Sequence, residues 1–323
     1  HMSVLKNRMF SLLLFLITGL MFFGCSHKKA SKISMNSFEF IRFEQIFFET
    51  DPDSLQRVEK EFPFFFPKNY PFSAWVNRRT DSLQLALYQE TKALLDKDVK
   101  KQIHIFLDGA SQYFQDFPLP KKAITITSDV DFNNKVIFTD SLLLIGIDNF
   151  LGTNHFIYED IPLYLKTQMN LEQLPSELAG SFAKRMVMAP EDRSFLAQLV
   201  FHGKKQFVKQ TILPEFSEDI IVGYTTDQID WAYANEKEIW NYFVSKELLY
   251  STDSSLQTRF FLQAPFSKFF LNIDQESPGR IGQWLGLQIV KSYQKQTGAS
   301  VIDILDTPYK ELFKKSKYKP RRG

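Results

Sequence analysis

A single cysteine in 323 residues removes several chemistries at once. Cys25 has no second thiol in the chain, so no intrachain disulfide forms and no cysteine-rich metal site is built. Histidine is nearly as scarce, with His1, His27, His104, His155 and His202. None of them belongs to the H-E-x-x-H helix that a zinc peptidase needs. The G-x-S-x-G elbow, the P-loop and the dinucleotide fingerprint are missing too, and with them the usual signs of a serine hydrolase or a nucleotide site. No motif calls for a cofactor, and the chain reads as non-enzymatic. Nor is there an excess of one charge. Lys6 and Arg8 account for the formal +2, and the remainder is balanced. A nucleic-acid partner would want a basic footprint, and there is none.

What is present begins at the N-terminus. Residues 9–25, MFSLLLFLITGLMFFGC, are almost wholly apolar, preceded by Lys6 and Arg8 and followed by Ser26-His27-Lys28-Lys29. A charged lead, a short apolar core and a small residue before a break describe an export signal. The core falls short of the roughly 20 apolar residues of a spanning helix. Gly24-Cys25 completes a sequence like a bacterial lipobox, with Phe22 and Phe23 where smaller residues are commoner. Cys25 is then lipidated and becomes the mature N-terminus; the alternative is an uncleaved N-terminal anchor. Either places the rest of the chain outside the cytoplasm. His1 is no initiator, which points to an added His1-Met2 pair or a start further upstream.

The expected organisation is a signal peptide over 1–24, a lipidated N-terminus and polar tether over 25–37, one globular domain over 38–313 and a basic tail over 314–323. The tail, with KKSKYKPRR at its start, is either a solvated end or a contact for anionic headgroups or a partner.

Alternation over 38–48 predicts an opening strand whose period drifts. A short helix is expected near Asp51-Pro52, and 61–72, with three prolines among aromatics, reads as a buried irregular connection. Helical periodicity over 81–117 predicts two amphipathic helices. Three strands follow, over 123–127, 135–139 and 142–147. Beyond them only helices are expected: one opened by Pro175, one over 192–210, one from the capping-box pair Thr225 and Gln228 to Tyr250, and one opened by Ser277-Pro278 and ended by Gly298. Gly203 falls on an inward stripe, and Gly279, Gly282 and Gly286 leave one helix face bare, which favours tight helix packing over a ligand cradle. The fold class is α+β, with a small N-terminal sheet and a mostly helical C-terminal half.

Glu236 lies on an apolar stripe, where a carboxylate must be paired or hydrogen-bonded. Arg280, Arg185 and Arg193 are the candidate partners, and a ligand role is the alternative. Convergence of Asp148, Glu159, Asp160, Glu236 and Asp274 into a carboxylate pair has no spacing rule to support it.

Several segments together resemble the GldB family of gliding-motility lipoproteins. They are FFGC at the signal, LLLIGIDNFLG (142–152), FHGKKQF (201–207), GYTTDQIDWAYANEKEIWNYF (223–243), APFSKFFLNIDQESPGRIGQWLGLQIVKSY (264–293) and SKYKP (316–320). The resemblance implies a lipoprotein of the cell envelope, required for surface movement, whose machinery overlaps with a dedicated protein-export system. It also implies a distant relation to predicted zinc peptidases with a zincin-like α+β fold. The metal helices would then be 176–188 and 192–210. The first carries Ser181, Phe182, Ala183, Lys184, Arg185 and Met186 where ligands belong, and the second offers His202 alone. One histidine cannot hold a catalytic zinc, so the resemblance implies a pseudoenzyme whose scaffold is kept for binding.

The candidate cleft and rim comprise His202, Trp231, Glu236, Trp240, Asp274, Arg280 and Trp284. The expected partners are a membrane, through the lipid on Cys25, and gliding or secretion proteins of the envelope. Ser26 favours the outer membrane, with the domain facing the periplasm. Two rivals remain: an anchored peptidase-like hydrolase using Glu236 with Asp148 or Asp274, and a substrate-binding lipoprotein with a deep pocket lined by Trp231, Trp240 and Trp284.

Overall fold

The early alternation lasts only four residues because the next aromatics follow a different period. In a computed structural model, which describes residues 37–321, strand β1 is Glu39–Arg42 and the chain passes at once into helix α1, Phe43–Glu49. Phe43 and Phe47 then share one helix face and enter an aromatic cluster with Phe62 and Phe66. The strand expected over 38–48 is therefore cut at its midpoint. The signal, Cys25 and most of the tether lie outside the described residues.

A 3-10 turn, Pro52–Ser54, leads into α2, Leu55–Glu61. The proline-rich connection is half-buried rather than buried: Phe62 and Phe66 point inward while Phe64 is 55% exposed. It ends in α3, Phe72–Thr80, a helix that the sequence reading misses because no buried residue marks a face on it. The two expected helices follow as α4, Ser82–Thr91, and α5, Asp96–Tyr113. The side chain of Asp81 accepts from Gln84 N at the start of α4. Along α5, Val99, Ile103, Phe106, Leu107 and Ala110 are buried at helical spacing.

Strands β2 (Lys122–Ile126), β3 (Val136–Phe138) and β4 (Leu143–Gly146) complete one four-stranded sheet of order β1-β2-β4-β3. The first three are parallel, with Ile41 opposite Ile124 and Ile124 opposite Leu144; β3 forms an antiparallel edge with β4.

The remainder is mostly helical, and the fold is α+β. The helices are α6 (Leu163–Lys166), α7 (Leu174–Met186), α8 (Phe195–Ile212), α9 (Glu218–Val222), α10 (Thr226–Ala234), α11 (Glu236–Ser245), α12 (Ser255–Phe260), α13 (Ile281–Thr297), α14 (Val301–Asp306) and α15 (Tyr309–Ser316). The capping box at Thr225 and Gln228 forms as expected, with Gln228 N donating to Thr225 Oγ1 and Thr225 N to Gln228 Oε1. The single helix expected from there to Tyr250 is broken at Asn235, whose side chain donates back to the Trp231 carbonyl at 2.8 Å. Ser277 does not cap α13. Its hydroxyl is spent on the loop before it, and Arg280, in the left-handed region at φ 60°, occupies the cap position instead.

Helix α8 is the wall shared by two cores. Val208 and Ile212 face the sheet, α5 and α7, while Phe195, Leu196, Leu199 and Val200 face α13 and the C-terminal helices. Where α8 crosses α13 there are no side chains between the backbones. A Cβ on Gly203 would fall inside the Gly286 peptide, and one on Gly286 would fall inside the Leu199 carbonyl. Gly203→Ala is accordingly expected to lose about 1–3 kcal/mol through overpacking. Gly180 on α7 is the control: its Cβ would meet Lys209 Cδ at 3.8 Å, an ordinary contact, so Gly180→Ala should be neutral or gain up to about 1 kcal/mol. Urea unfolding of the two variants checks this, and equal effects would contradict the crossing geometry.

Candidate functional site

Glu236 opens α11 directly after the break at Asn235, and the break turns its side chain inward to 2% exposure. Its partner comes from the far end of the chain. Tyr318 donates its hydroxyl to Glu236 Oε1 at 2.7 Å, and Arg321 Nε stands 3.9 Å from Oε2. None of the three expected arginines reaches it. Arg185 pairs with Asp140, Arg280 holds the carbonyls of Val222 and Gly223, and Arg193 borders a separate depression with Ser251 and Asp253. Tyr318 gets there because Lys317, at φ 47°, turns the chain sharply after α15. The edge of Trp240 then packs on the Tyr318 ring, with centroids 5.1 Å apart.

The returning chain encloses an open groove of about 630 Å³. Phe207 forms part of its wall and Glu236 part of its floor, while Lys291, Lys295, Lys319 and Arg321 supply cations around it. Lys295 and Lys319 are exposed. The surface is concave and carries several cations around one buried acid, a charge pattern complementary to an acidic surface.

Behind the groove a second carboxylate acts as a joint. Glu218 accepts from Tyr233 Oη (2.7 Å), Trp284 Nε1 (2.9 Å), Gln288 Nε2 (2.9 Å) and Lys291 Nζ (2.6 Å). Burial works to raise its pKa, yet the Lys291 ammonium and these hydrogen bonds hold it below the usual carboxylate range. The sequence reading passes over Glu218, although a signal existed. Trp284, Gln288 and Lys291 follow one another at i, i+4 and i+7 on α13, so three donors on one helix face call for a common acceptor.

The other candidates are placed apart from the groove. Trp284 is wholly buried, with its N–H committed to Glu218. Trp231 is half-buried against the second core, and Trp240 half-buried between Phe313 and Tyr318. The groove lining includes none of the three tryptophans. Asp274 accepts from the amides of Phe269, Phe270 and Leu271 at 3.0, 2.9 and 3.3 Å and so fastens the loop in which Phe270 adopts φ 61°. Asp148, fully buried, does the same for Ser128 and Val130 at 2.9 and 2.7 Å; burial pushes its pKa up despite these bonds. Arg280 spends its guanidinium on the end of α9 and lies over the Tyr224 ring at 5.5 Å. Burial, only partly offset by Glu177, depresses its pKa.

His202 stacks on Phe261, with centroids 4.7 Å apart and planes 15° from parallel, and its Nδ1 has no hydrogen-bond partner. Burial, with Lys205 nearby, lowers its pKa to about 3, so the half-buried ring is neutral. The donors around the implied metal position do not fit zinc. Phe182 and Ala183 are fully buried in the core, Lys184 and Arg185 are exposed cations, and no group of three His, Cys, Asp or Glu among the described residues could hold a metal.

If Tyr318 fastens the tail through Glu236, Tyr318→Phe strands a buried carboxylate oxygen. The expected loss is about 1–3 kcal/mol in denaturant unfolding. Adding Glu236→Gln should cost less than the sum of the two single changes. A neutral Tyr318→Phe would show that the contact does not hold the tail.

No curated protein and no solved structure matches the chain. A family model does: that of the gliding motility protein GldB matches residues 25–320. The match starts at Cys25 and takes in the sheet, the α8–α13 crossing and the tyrosine that closes over Glu236. The chain belongs to the GldB family of gliding-motility lipoproteins.

Proposed function

We propose that this lipoprotein works without catalysis, as an envelope protein held by lipid on Cys25 at the outer membrane, with its folded domain facing the periplasm and docking an acidic partner of the gliding or secretion machinery. The observation that carries this reading is the employment of the acids. Asp148, Glu218, Glu236 and Asp274 all accept hydrogen bonds from groups that hold the fold together, and none of the four bonds another. A general acid or base needs a carboxylate turned toward a substrate. Asp148, Glu218 and Asp274 are turned toward the protein, and Glu236, at the groove floor, is 2% exposed with one oxygen held by Tyr318 and Arg321 3.9 Å from the other. The groove at Glu236 offers exposed lysines instead, which suits recognition of a surface better than a reaction.

The zincin-like descent implied by the resemblance belongs to the same reading. Helices α7 and α8 would be the old metal helices, retained as scaffold, with aromatic packing at His202 in place of a ligand. In this reading the lipid on Cys25 does the anchoring; no helix among the described residues is long and apolar enough to cross a membrane. A diacylglycerol with an amide-linked chain exceeds the two-signal requirement for stable attachment.

Cys25→Ala is expected to move the protein from the membrane to the soluble fraction and to impair spreading of a gliding strain. Fractionation with immunoblotting and a spreading assay check both. Normal movement supported by a demonstrably soluble variant would contradict the anchoring role.

A further inference from the structure

A second cavity, of about 310 Å³, lies between the β3 edge and helices α7 and α8. That is the lower end of the size range of small-ligand sites. Phe132, Val136 and Leu165 contribute apolar wall, and Lys135, Glu177, Lys184 and Lys209 contribute charge. Lys135 is spent: its ammonium, on a side chain only 11% exposed, pairs with Glu177 at 2.6 Å. The exposed Lys184 side chain makes no hydrogen bond or ion pair among the described residues.

Lys209 is the unusual member. Its aliphatic stem runs past Gly180, and its ammonium donates to the Ile221 carbonyl. A cation at a helix C-terminus is a common cap, and capping α9 explains one of its donors. It does not account for the rest. The neighbouring carbonyls already have other donors: Ser176 Oγ for Ile220, Arg280 for Val222 and Gly223, and Gln168 Nε2 for Gly223. An ammonium has three N–H donors, and Lys209 uses one. The charged groups that face it are Glu177 and Lys184 from α7, Lys135 beside β3, and Arg280 before α13. With Lys209 itself, four cations surround one carboxylate that is already paired.

We propose that this pocket binds the oxyanion group of a small ligand, a phosphate or a carboxylate, between Lys184 and Lys209. The apolar wall at Phe132, Val136 and Leu165 receives the body that carries the anion. The site is separate from the groove at Glu236 and does not depend on the docking reading. Lys209 gives it a pH signature. Burial, reinforced by Arg280, Lys135 and Lys184 and opposed by Glu177, lowers its pKa to about 7. An anion beside it favours the protonated form. Binding therefore takes up a proton, and affinity falls as pH rises through about 7.

The test is calorimetric titration of the full-length protein in detergent, at matched ionic strength, with inorganic phosphate, acetate and sulfate. The expected result is binding of one anion per chain, weakened about tenfold by Lys184→Gln. Tighter phosphate marks a phosphoryl ligand and tighter acetate a carboxylate. Sulfate does not titrate between pH 6 and 8, and its affinity should fall over that interval. Lys209→Met should remove both binding and pH dependence; because it also loses a helix cap, the exposed Lys184 carries the test if that variant fails to fold. Absence of binding at millimolar anion, or an affinity unchanged in Lys184→Gln, overturns the proposal. Saturation as an adventitious ion only, at sites shared with a Lys295→Gln control, overturns it too.

Discussion

Two peptide backbones touch where α8 crosses α13, and most of the C-terminal half follows from that contact. Gly203 and Gly286 leave no side chain between the helices, so the pair approaches more closely than ordinary ridges and grooves allow. The approach sets Trp284 deep in the second core and brings Gln288 and Lys291 to the one carboxylate that can serve all three, Glu218. On its other side α8 presents Val208 and Ile212 to the core shared with the sheet. One helix thus joins both halves, and its position depends on two residues having nothing beyond Cα.

Polar side chains act as fasteners throughout. Short helices leave several backbone groups unsatisfied at each end, and this chain satisfies many of them from far away. The last carbonyls of α9 are met by Ser176, Lys209, Arg280 and Gln168, from three other parts of the sequence. Asp148 and Asp274 gather amides of loops in the same way. Such a bond costs little to keep and much to break, since the abandoned group stays buried. Polar groups consumed as fasteners are not available for chemistry. In the proposed readings, an outside molecule meets the exposed cations at the groove and the spare donors of the lysine pocket.

This distinction also explains what could be read from the sequence. Local signals were legible: the capping box at Thr225 and Gln228, the glycine at 203 on an inward stripe, the helix end at Gly298 and the presence of all four strands are each marked by residues within a few positions of one another. Long-range choices were not. Periodicity marks Glu236 as an acid on an apolar face, yet nothing near it says that Tyr318 returns to meet it. The parallel pairing of β1, β2 and β4 likewise depends on chain crossovers that alternation cannot report. The break at Asn235 escaped notice because the apolar stripe continues across it. At the site, Glu236 was found and its partners were not, and Glu218 was missed although its donors lie on one visible face of α13.

In the proposed reading, this GldB-family lipoprotein docks its partner on a groove whose wall is held in place by its own C-terminal chain. The most direct measurement is the spreading of a gliding strain whose copy carries Lys295→Glu and Lys319→Glu, two exposed rim residues, with membrane attachment and protein level verified. Charge reversal at the rim repels an acidic partner while leaving the Glu218 and Glu236 fasteners in place. Loss of spreading from a folded, anchored protein is the predicted result, and wild-type spreading would contradict the account.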